Sequence, residues 1–248
     1  VRVILHRPRY PENIGSAARA VRNMGIHRLD IVQPENPAED RIRMLATHAA
    51  RDVVDGMTTF DSLADALQDC QYVVGTTARL GGERQVVLQP GVMARRLIPI
   101  SQENEIAVVF GPEDRGLTNE DMRFCHALIN IPTAEFSSLN LAQAVMVVCF
   151  ALFTAEEKTP GAAVPRLANR HELDSMYAQV KDILVRISYV NPENPDYWLN
   201  HIRHFFTRIQ LRAREVSIIR GLCRQIDWYA HKNYEDGLQE GRLQADKE

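Results

Sequence analysis

Short, continuous apolar segments alternate with helical patterns through roughly the first 158 residues, and this alternation restricts the fold more than any other feature. Five segments have the length and the β-branched content of strands: residues 3–5, 29–32, 72–76, 106–110 and 127–131. Their apolar residues are consecutive, as in strands that helices cover on both faces. Strand–helix alternation of this kind predicts an α/β domain with a mostly parallel sheet.

Helix signals lie between these strand segments. Asn13 directly precedes a helical pattern, and Ser62 and Asp65 have the spacing of a capping box. Pro90 is placed for the first turn of another helix, and Thr118 is placed to cap a short one that runs to about residue 125. These helices complete the predicted alternation.

The pattern changes after residue 158. Residues 159–170 contain two prolines and one glycine and are interpreted as a linker. Beyond it, residues 171–189 are amphipathic, and further helices are predicted around residues 198–207 and 212–232, followed by a polar tail. We therefore divide the chain into an α/β domain at residues 1–158, the linker, and a small all-α extension at residues 171–240.

Charge is segregated along the chain although the net charge is only −3. Residues 1–30 contain six arginines against two acidic residues, and residues 201–232 contain seven Lys or Arg residues against two acidic ones. Two basic segments on an acidic background fit a surface that binds a polyanion. Two solvated helix faces would give the same pattern, and charge alone does not decide between them.

Cysteine and histidine spacing argues against a metal site. The four cysteines are far apart, without a CxxC pair, and are expected to be buried thiols in a reducing cytoplasm. The histidines are scattered without the spacing of ligands. The longest apolar run, residues 142–153, is too short to span a bilayer and contains a glutamine, and no signal peptide is recognised. We expect a cytoplasmic protein without a membrane or metal partner.

Three turns with glycine, serine or asparagine follow predicted strands, at residues 9–19, 110–118 and 131–140. Ligands of open α/β sheets collect at the carboxyl ends of strands. Gly111 and Gly116 would let the backbone approach a ligand closely, and the third turn offers polar groups at the start of a helix. Each turn alone is more often an ordinary turn or cap, but their occurrence together favours a ligand site.

Several common ligand motifs are absent from the sequence. No GxGxxG follows the first strand and no GxxxxGK[ST] is present, so a Rossmann dinucleotide site and a P-loop are disfavoured. The GxSxG turn of α/β-hydrolases is absent as well.

The three turns resemble, in order, the three motifs of the SPOUT methyltransferases, and within that superfamily the TrmH family. The matching segments are Asn-Ile-Gly-Ser-Ala-Ala-Arg-Ala at 13–20, Phe-Gly-Pro-Glu-Asp-Arg-Gly-Leu-Thr-Asn at 110–119, and Ile-Pro-x3-Phe-Ser-Ser-Leu-Asn-Leu-Ala-Gln-Ala at 131–144. The helical extension is closest to the TrmJ branch, tRNA methyltransferases that modify the ribose of an anticodon-loop cytidine or uridine. The resemblance covers essentially the whole chain.

The resemblance implies a deep C-terminal trefoil knot, an exception to the rule that chains do not thread. It also implies that S-adenosylmethionine binds within the knot and that a second subunit completes the site, so that the enzyme is a homodimer. Backbone groups are expected to recognise the adenine. The positions that match the cofactor site are Thr76, Thr77, Ala78, Gly111, Ile131, Ser137, Ser138 and Leu139.

Arg19 matches the arginine that the family treats as catalytic. A guanidinium group with a pKa above about 12 is a poor general base. Our hypothesis is that Arg19 grips the adjacent phosphate and stabilises developing alkoxide character at the ribose 2′-oxygen, helped by Ser138 and Asn140. The alternative is that Arg19 positions the phosphate without a chemical role.

Asn13 and Glu113 are the candidates for substrate binding. Glu113 occupies the place of an acidic residue in related proteins, where it would bind a substrate group or Asn13, or else stabilise its own turn. Asp114 and Arg115 depart from the Arg-Val pair of well-studied members of the branch. That departure concerns recognition of the substrate rather than the reaction.

The resemblance therefore predicts an S-adenosylmethionine-dependent 2′-O-ribose methyltransferase acting on tRNA. The alternatives are a 2′-O-methyltransferase acting on ribosomal RNA, and a knotted RNA-binding protein without catalysis. Arginines of the C-terminal helices would contact phosphates. The aromatic residues among them are expected to form the core of the small domain: Tyr197, Trp198, Phe205 and Phe206.

Overall fold

The computed structural model describes residues 1–78, 86–134, 139–156, 163–191 and 193–245. The chain forms two compact units, Val1–Asn169 and Arg170–Glu248.

The first unit contains a seven-stranded sheet. Its strands are β1 (Arg2–His6), β2 (Arg28–Val32), β3 (Thr59–Phe60), β4 (Tyr72–Thr76), β5 (Val87–Leu88), β6 (Ile106–Phe110) and β7 (Ala127–Ile129). Its helices are α1 (Pro11–Asn23), α2 (Glu39–Ala46), α3 (Arg51–Asp55), α4 (Leu63–Leu67), α5 (Pro90–Ser101), α6 (Asn119–Met122) and α7 (Leu141–Glu156). The second unit contains α8 (Arg170–Arg186), α9 (Pro195–Ile209) and α10 (Ala213–Ala245).

Every strand pair of the sheet is parallel, and the strand order is β3-β2-β1-β6-β4-β7-β5. This confirms the predicted α/β class with a mostly parallel sheet. The chain completes β6 before it returns to place β7 between β4 and β5. The trefoil knot stays a prediction, and this late insertion of β7 is the topological feature that supports it.

Consecutive strand residues pack into different layers, which explains the continuous apolar segments. Val108 belongs to a cluster with residues of α1, α5 and α7, whereas its neighbour Val109 belongs to a cluster with residues of α4. Both side chains are fully buried. A strand covered on both faces gains hydrophobic stabilisation from every side chain, so an alternating pattern is not needed.

Three of the predicted helix starts are confirmed. The Ser62 side chain accepts a hydrogen bond from the backbone N–H of Asp65, and Pro90 lies in the first turn of α5. Thr118 and Asp121 form a capping box at the start of α6. The helix that Thr118 caps is shorter than predicted, since it ends at Met122.

The predicted start of α1 at Asn13 is wrong. The helix begins at Pro11, with Tyr10 at the N-cap position. Proline suits the first turn because its φ is already helical and the amide that it lacks would have no partner there. Asn13 therefore lies inside the helix, and its side chain is used elsewhere.

Asn104 fastens the segment that follows α7 to the end of α5. Its side-chain amide donates to the carbonyls of Ile100 (3.0 Å) and Val164 (2.9 Å), and its Oδ1 accepts from the backbone N–H of Leu167 (2.7 Å). Asn104, Leu167 and Ala168 are all buried. Residues 163–168, part of the predicted linker, thus pack against the first unit.

The small unit has its own core, made by Leu173, Met176, Tyr177 and Ile183 of α8. Phe206 lies against Tyr177, with 6.2 Å between ring centroids. Tyr197 and Phe205 are 57% and 50% exposed, so the expectation that the aromatic residues form this core is correct for Phe206 and wrong for these two. The side chain of Trp198 lies outside the described part of the structure.

The four cysteines are free and buried, as predicted. Burial raises the pKa of Cys70 to about 11 and that of Cys149 to about 12. These two thiols therefore remain protonated and unreactive at neutral pH.

Candidate active site

A cavity of about 390 Å³ opens at the carboxyl ends of β4, β6 and β7. Its size is that of a small-molecule site, and its position is where open parallel sheets bind ligands. It is lined by Thr76, Thr77, Ala78, Phe110, Gly111, Pro112, Glu113, Asp114, Arg115, Gly116, Leu117, Ile129, Ile131, Leu139, Leu141 and Ala144.

The wall formed by residues 76–78 is fixed by hydrogen bonds to the neighbouring strands. The Thr76 hydroxyl donates to the carbonyl of Val109 (3.1 Å), and the Thr77 N–H donates to the carbonyl of Ile129 (2.9 Å). The side-chain amide of Asn130 donates to the Thr77 carbonyl (3.0 Å). Hydrogen bonds on both edges of this segment thereby tie it to the two flanking strands, which gives the cavity a rigid side.

The loop at residues 111–116 forms another part of the cavity wall and depends on two glycines. A Cβ at Gly111 would lie 2.4 Å from the backbone of both Gly116 and Leu117. Gly116 has a φ of +67°, which L side chains rarely adopt, and its N–H donates to the Pro112 carbonyl (2.9 Å). The tight closure of this loop requires glycine at both positions.

Six of the predicted cofactor positions line this cavity together: Thr76, Thr77, Ala78, Gly111, Ile131 and Leu139. Ser137 and Ser138 lie outside the described residues. Sequence reasoning did not single out Pro112, Leu117 or Ala144 as lining residues, although all three lie within or beside the recognised motifs.

A chain of hydrogen bonds joins the three motifs beside the cavity. The Asn13 side-chain amide donates to Glu113 Oε1 (2.7 Å), and Glu113 Oε2 accepts from the backbone N–H of Arg9 (3.0 Å). Asn140 Nδ2 donates to Asn13 Oδ1 (2.8 Å), and Asn140 Oδ1 accepts from the N–H of Ala142 (2.9 Å). Of the roles considered for Glu113, the contact with Asn13 is the one observed.

The donor and the acceptor of each hydrogen bond between these side chains follow from one group, the carboxylate of Glu113. An ionised carboxylate only accepts hydrogen bonds, so Asn13 must turn its NH₂ toward Glu113 and its carbonyl toward Asn140. Asn140 must then present its own NH₂ to Asn13, which leaves its Oδ1 to cap α7. The start of α7, at the edge of the cavity, is therefore oriented from Glu113.

Pairing within the protein accounts for much of the basic segment at residues 1–30. Arg2 is buried beside Asp30 (3.4 Å), and Arg22 pairs with Asp52 (3.0 Å). Arg9 pairs with both Glu35 (3.1 Å) and Asp114 (3.2 Å). These arginines are paired with carboxylates of their own chain, so less of the positive charge of this segment is free for a polyanion.

Arg19 differs from these arginines. It is exposed on α1, and within the described residues no hydrogen bond or ion pair joins it to another side chain. It is not among the residues that line the cavity. In a single chain the Arg19 guanidinium thus lies outside the cavity and is unpaired among the described residues. The catalytic role of Arg19 stays a prediction.

His6, at the end of β1, lies behind the second motif. Its Nε2 is 3.1 Å from Asp121 Oδ1, yet neither ring nitrogen makes an aligned hydrogen bond within the described residues. Burial lowers the pKa of His6, and the nearby Asp121 carboxylate opposes this only in part. The imidazole is therefore held neutral near pH 7, beside the short helix α6 that Thr118 caps.

Two further findings concern ligands and membranes. No group of three His, Cys, Asp or Glu side chains in the described part of the chain is arranged to hold a metal ion. Among the described residues, no helix has the length and apolar character needed to cross a membrane.

Residues 1–150 match the SpoU rRNA Methylase family, and residues 171–236 match the C-terminal domain of the tRNA methyltransferase TrmJ. The chain is 34% identical over 240 residues to the tRNA (cytidine/uridine/adenosine-2'-O-)-methyltransferase TrmJ of Pseudomonas aeruginosa (strain UCBPP-PA14), covering 90% of this chain and 91% of that protein. It is 33% identical to the tRNA (cytidine/uridine-2'-O-)-methyltransferase TrmJ of Photorhabdus laumondii, covering 94% and 98%. The crystal structure of TrmJ from Z. mobilis ZM4 superposes with a TM-score of 0.79 at 30% identity, covering 91% of this chain and 98% of that one.

Proposed function

The chain belongs to the SpoU rRNA methylase family, and we propose that it is an S-adenosylmethionine-dependent tRNA 2′-O-methyltransferase acting on a cytidine or uridine of the anticodon loop. The observation that carries the proposal is the cavity at the ends of β4, β6 and β7, beside which Asn13, Glu113 and Asn140 join three motifs into one hydrogen-bonded unit. The match of residues 171–236 to the TrmJ C-terminal domain favours tRNA over ribosomal RNA. Since tRNA is the substrate, we place the protein in the cytoplasm.

The residues of the cavity fit this cofactor. Ile129, Ile131 and Leu139 give an apolar surface suited to a flat ring, and Glu113 and Arg115 give a charged edge suited to a zwitterionic end. The backbone at residues 76–78 lies on the same cavity and suits recognition of the adenine edge. When bound, S-adenosylmethionine supplies a methyl group on a sulfonium, an electrophile that needs neither a metal nor a covalent enzyme intermediate.

The protein's own residues position the target ribose and stabilise the charge that develops on it. Arg19 binds the phosphate beside the target ribose and stabilises negative charge developing on the 2′-oxygen. Asn140, held by Asn13, fixes the start of α7 next to the cavity. Ser138 is assigned to assist at the 2′-hydroxyl on the strength of its motif position.

A second copy of the chain completes the site in this proposal. Arg19 does not line the cavity of its own chain, and in this proposal Arg19 of a second copy reaches the substrate there. Helix α7 carries an apolar face that its own chain leaves exposed: Val147, Phe150 and Phe153 are 39%, 54% and 43% accessible. An unpaired apolar face next to an incomplete site supports a homodimer formed through α7.

The experiment that tests the function follows the methyl group. The protein is incubated with methyl-labelled S-adenosylmethionine and total RNA, and the modified nucleotide is located by mass spectrometry of RNA fragments. We expect a 2′-O-methylated cytidine or uridine in the anticodon loop of tRNA. Label only on ribosomal RNA would support the rRNA alternative instead, and label on no RNA would leave a non-catalytic RNA-binding protein.

A further inference from the structure

Helices α8 and α10 run parallel, and α10 is much the longer. The Gln179 side-chain amide donates to the carbonyl of Arg220 (3.5 Å), and Arg186, at the end of α8, pairs with Asp227. In each pair the two residues are 41 positions apart in the sequence, so α8 and α10 run in the same direction with a constant register. Residues 228–245 of α10 therefore extend past the end of α8 by about 27 Å, at 1.5 Å per residue.

The face of α10 that points away from α8 carries a regular seam of exposed residues. Val216 and Cys223 are buried on the inner face. The seam residues follow the alternating spacing of three and four that pairs helices in coiled coils. They are Glu215, Ile218, Leu222, Gln225, Tyr229 and Lys232, and Ile218, Leu222 and Tyr229 are 55%, 60% and 61% exposed.

This seam is complementary to itself when its copy is reversed. With a twofold axis between residues 223 and 224, Glu215 faces Lys232 of a second copy, Ile218 faces Tyr229, and Leu222 faces Gln225. Opposite charges meet at both ends and the apolar side chains meet between them. We propose that α10 pairs antiparallel with α10 of a second copy of this chain along this seam.

Charge favours an antiparallel second copy of α10 over a parallel copy and over a polyanion. In a parallel pair Glu215 would face Glu215 and Lys232 would face Lys232, which repels at both ends. A polyanion is also disfavoured on this face, because the seam carries one acid and one base and is neutral overall.

The seam is short, with six residues on each helix. An interface of this size is below that of most stable complexes, so it would form mainly where another contact already holds two copies together. The inference thus rests on the proposed homodimer through α7, and its test separates the two. Sedimentation velocity reports the dimer, whereas a cross-link between specified positions reports the seam.

The test uses two differently tagged full-length chains, Leu222→Cys and Gln225→Cys, expressed together and oxidised mildly. Antiparallel pairing brings residues 222 and 225 of different copies face to face, so we expect a disulfide between the two tags. Two identical Leu222→Cys chains should link much less, whereas parallel pairing would favour that link. Wild-type protein is the background control, since its four cysteines are buried.

Charge reversal then tests the register. Glu215→Lys or Lys232→Glu alone should lower the yield of the mixed disulfide about fivefold, and the double exchange should restore it. A dimer in sedimentation without the mixed disulfide would overturn the seam alone, and a monomer would overturn both the seam and the homodimer. Loss of RNA binding in Lys232→Glu that the double exchange does not rescue, again without the disulfide, would assign this face to RNA.

Discussion

At the scale of single residues, the carboxylate of Glu113 determines what Asn13 can be exchanged for. Replacing Asn13 with Asp puts a second carboxylate against Glu113 Oε1 and removes the donor of the 2.7 Å hydrogen bond. We expect the free energy of unfolding to fall by about 2–3 kcal/mol, because a buried hydrogen bond to a charged group becomes a repulsion. Urea unfolding measures this, and Asn13→Ala is the control.

Asn13→Ala removes the same bond without adding a charge, so it should cost less than Asn13→Asp. Equal stability of the Asp variant and the wild type would show that Glu113 does not face residue 13 in solution. Methyl transfer should fall in Asn13→Ala, since Asn140 loses the acceptor that orients it, and in Asn13→Asp, since repulsion from Glu113 displaces that acceptor.

Arg19 is tested by truncation to alanine. If it stabilises charge on the 2′-oxygen, Arg19→Ala should lower kcat by about 10²–10³ while calorimetry shows nearly unchanged binding of S-adenosylmethionine. Arg28→Ala removes another exposed cation of the same basic segment and is the matched control. A kcat within a few-fold of the wild type would exclude a chemical role for Arg19.

His6 predicts how stability depends on pH. Burial lowers its pKa from the ordinary 6.5, so protonation favours the unfolded chain. Its contribution to stability is complete above about pH 6.5 and declines as the pH falls toward the folded-state pKa. His6→Gln should lose less stability than the wild type between about pH 7.5 and pH 5.5 in urea titrations.

The exposed His27 supplies the control for this titration. His27→Gln should keep the pH dependence of the wild type. If His6→Gln keeps it too, the acid sensitivity arises elsewhere, for example from carboxylates that are paired in the folded state.

At the scale of elements, the loop after β6 predicts a specific loss of cofactor binding. A methyl group on Gly111 would overlap the backbone of Gly116 and Leu117, so the whole cavity wall must shift. We expect Gly111→Ala to cost about 1–3 kcal/mol in stability and to weaken S-adenosylmethionine binding about tenfold or more by calorimetry. Gly91→Ala is the control, since its Cβ would meet only the end of the Arg95 side chain, 4.0 Å away.

The elements that the sequence predicted best are those whose own residues determine them. The bounds of β4 and β6 were predicted correctly because both strands are buried on two faces and consist mostly of consecutive apolar residues. Strands β3 and β5 have two residues each and no pattern of their own, so only the neighbouring strand creates them. The predicted end of the last helix near residue 232 is wrong, because α10 continues to Ala245. Residues 233–239 are all exposed, so no buried apolar stripe marks this part of the helix in the sequence.

The residues of the site likewise divide into those that the sequence predicted and those that it could not predict. The resemblance named six lining residues of the cavity because they lie at or after the ends of predicted strands, three of them within the recognised motifs. The contact of Arg9 with Glu113 spans 104 residues, and that of His6 with Asp121 joins the end of β1 to α6, two segments whose sequences carry no mark of their pairing. Side chains that meet only through the sheet order cannot be paired from their spacing in the chain.

At the scale of the whole molecule, the question is whether one chain suffices for activity. The apolar face of α7 contains Phe150, which is 54% exposed, so a charged residue there has no effect on the core of a single chain. In a homodimer through α7 the same charge would be buried without a partner, which costs several kcal/mol. Phe150→Glu should therefore give a folded monomer that has lost methyl transfer.

Sedimentation velocity and circular dichroism measure the two halves of this prediction, the assembly and the fold. Met44→Glu is the matched control, because Met44 is 67% exposed on α2, a different helix of the same unit. It should remain dimeric and active. A Phe150→Glu monomer with full activity would mean that one chain brings its own Arg19 to the cavity, and the shared site would be wrong even if the protein is a dimer. A variant that stays dimeric would instead move the interface away from α7, and the search for the second cation would turn to whichever surface then holds the two copies together.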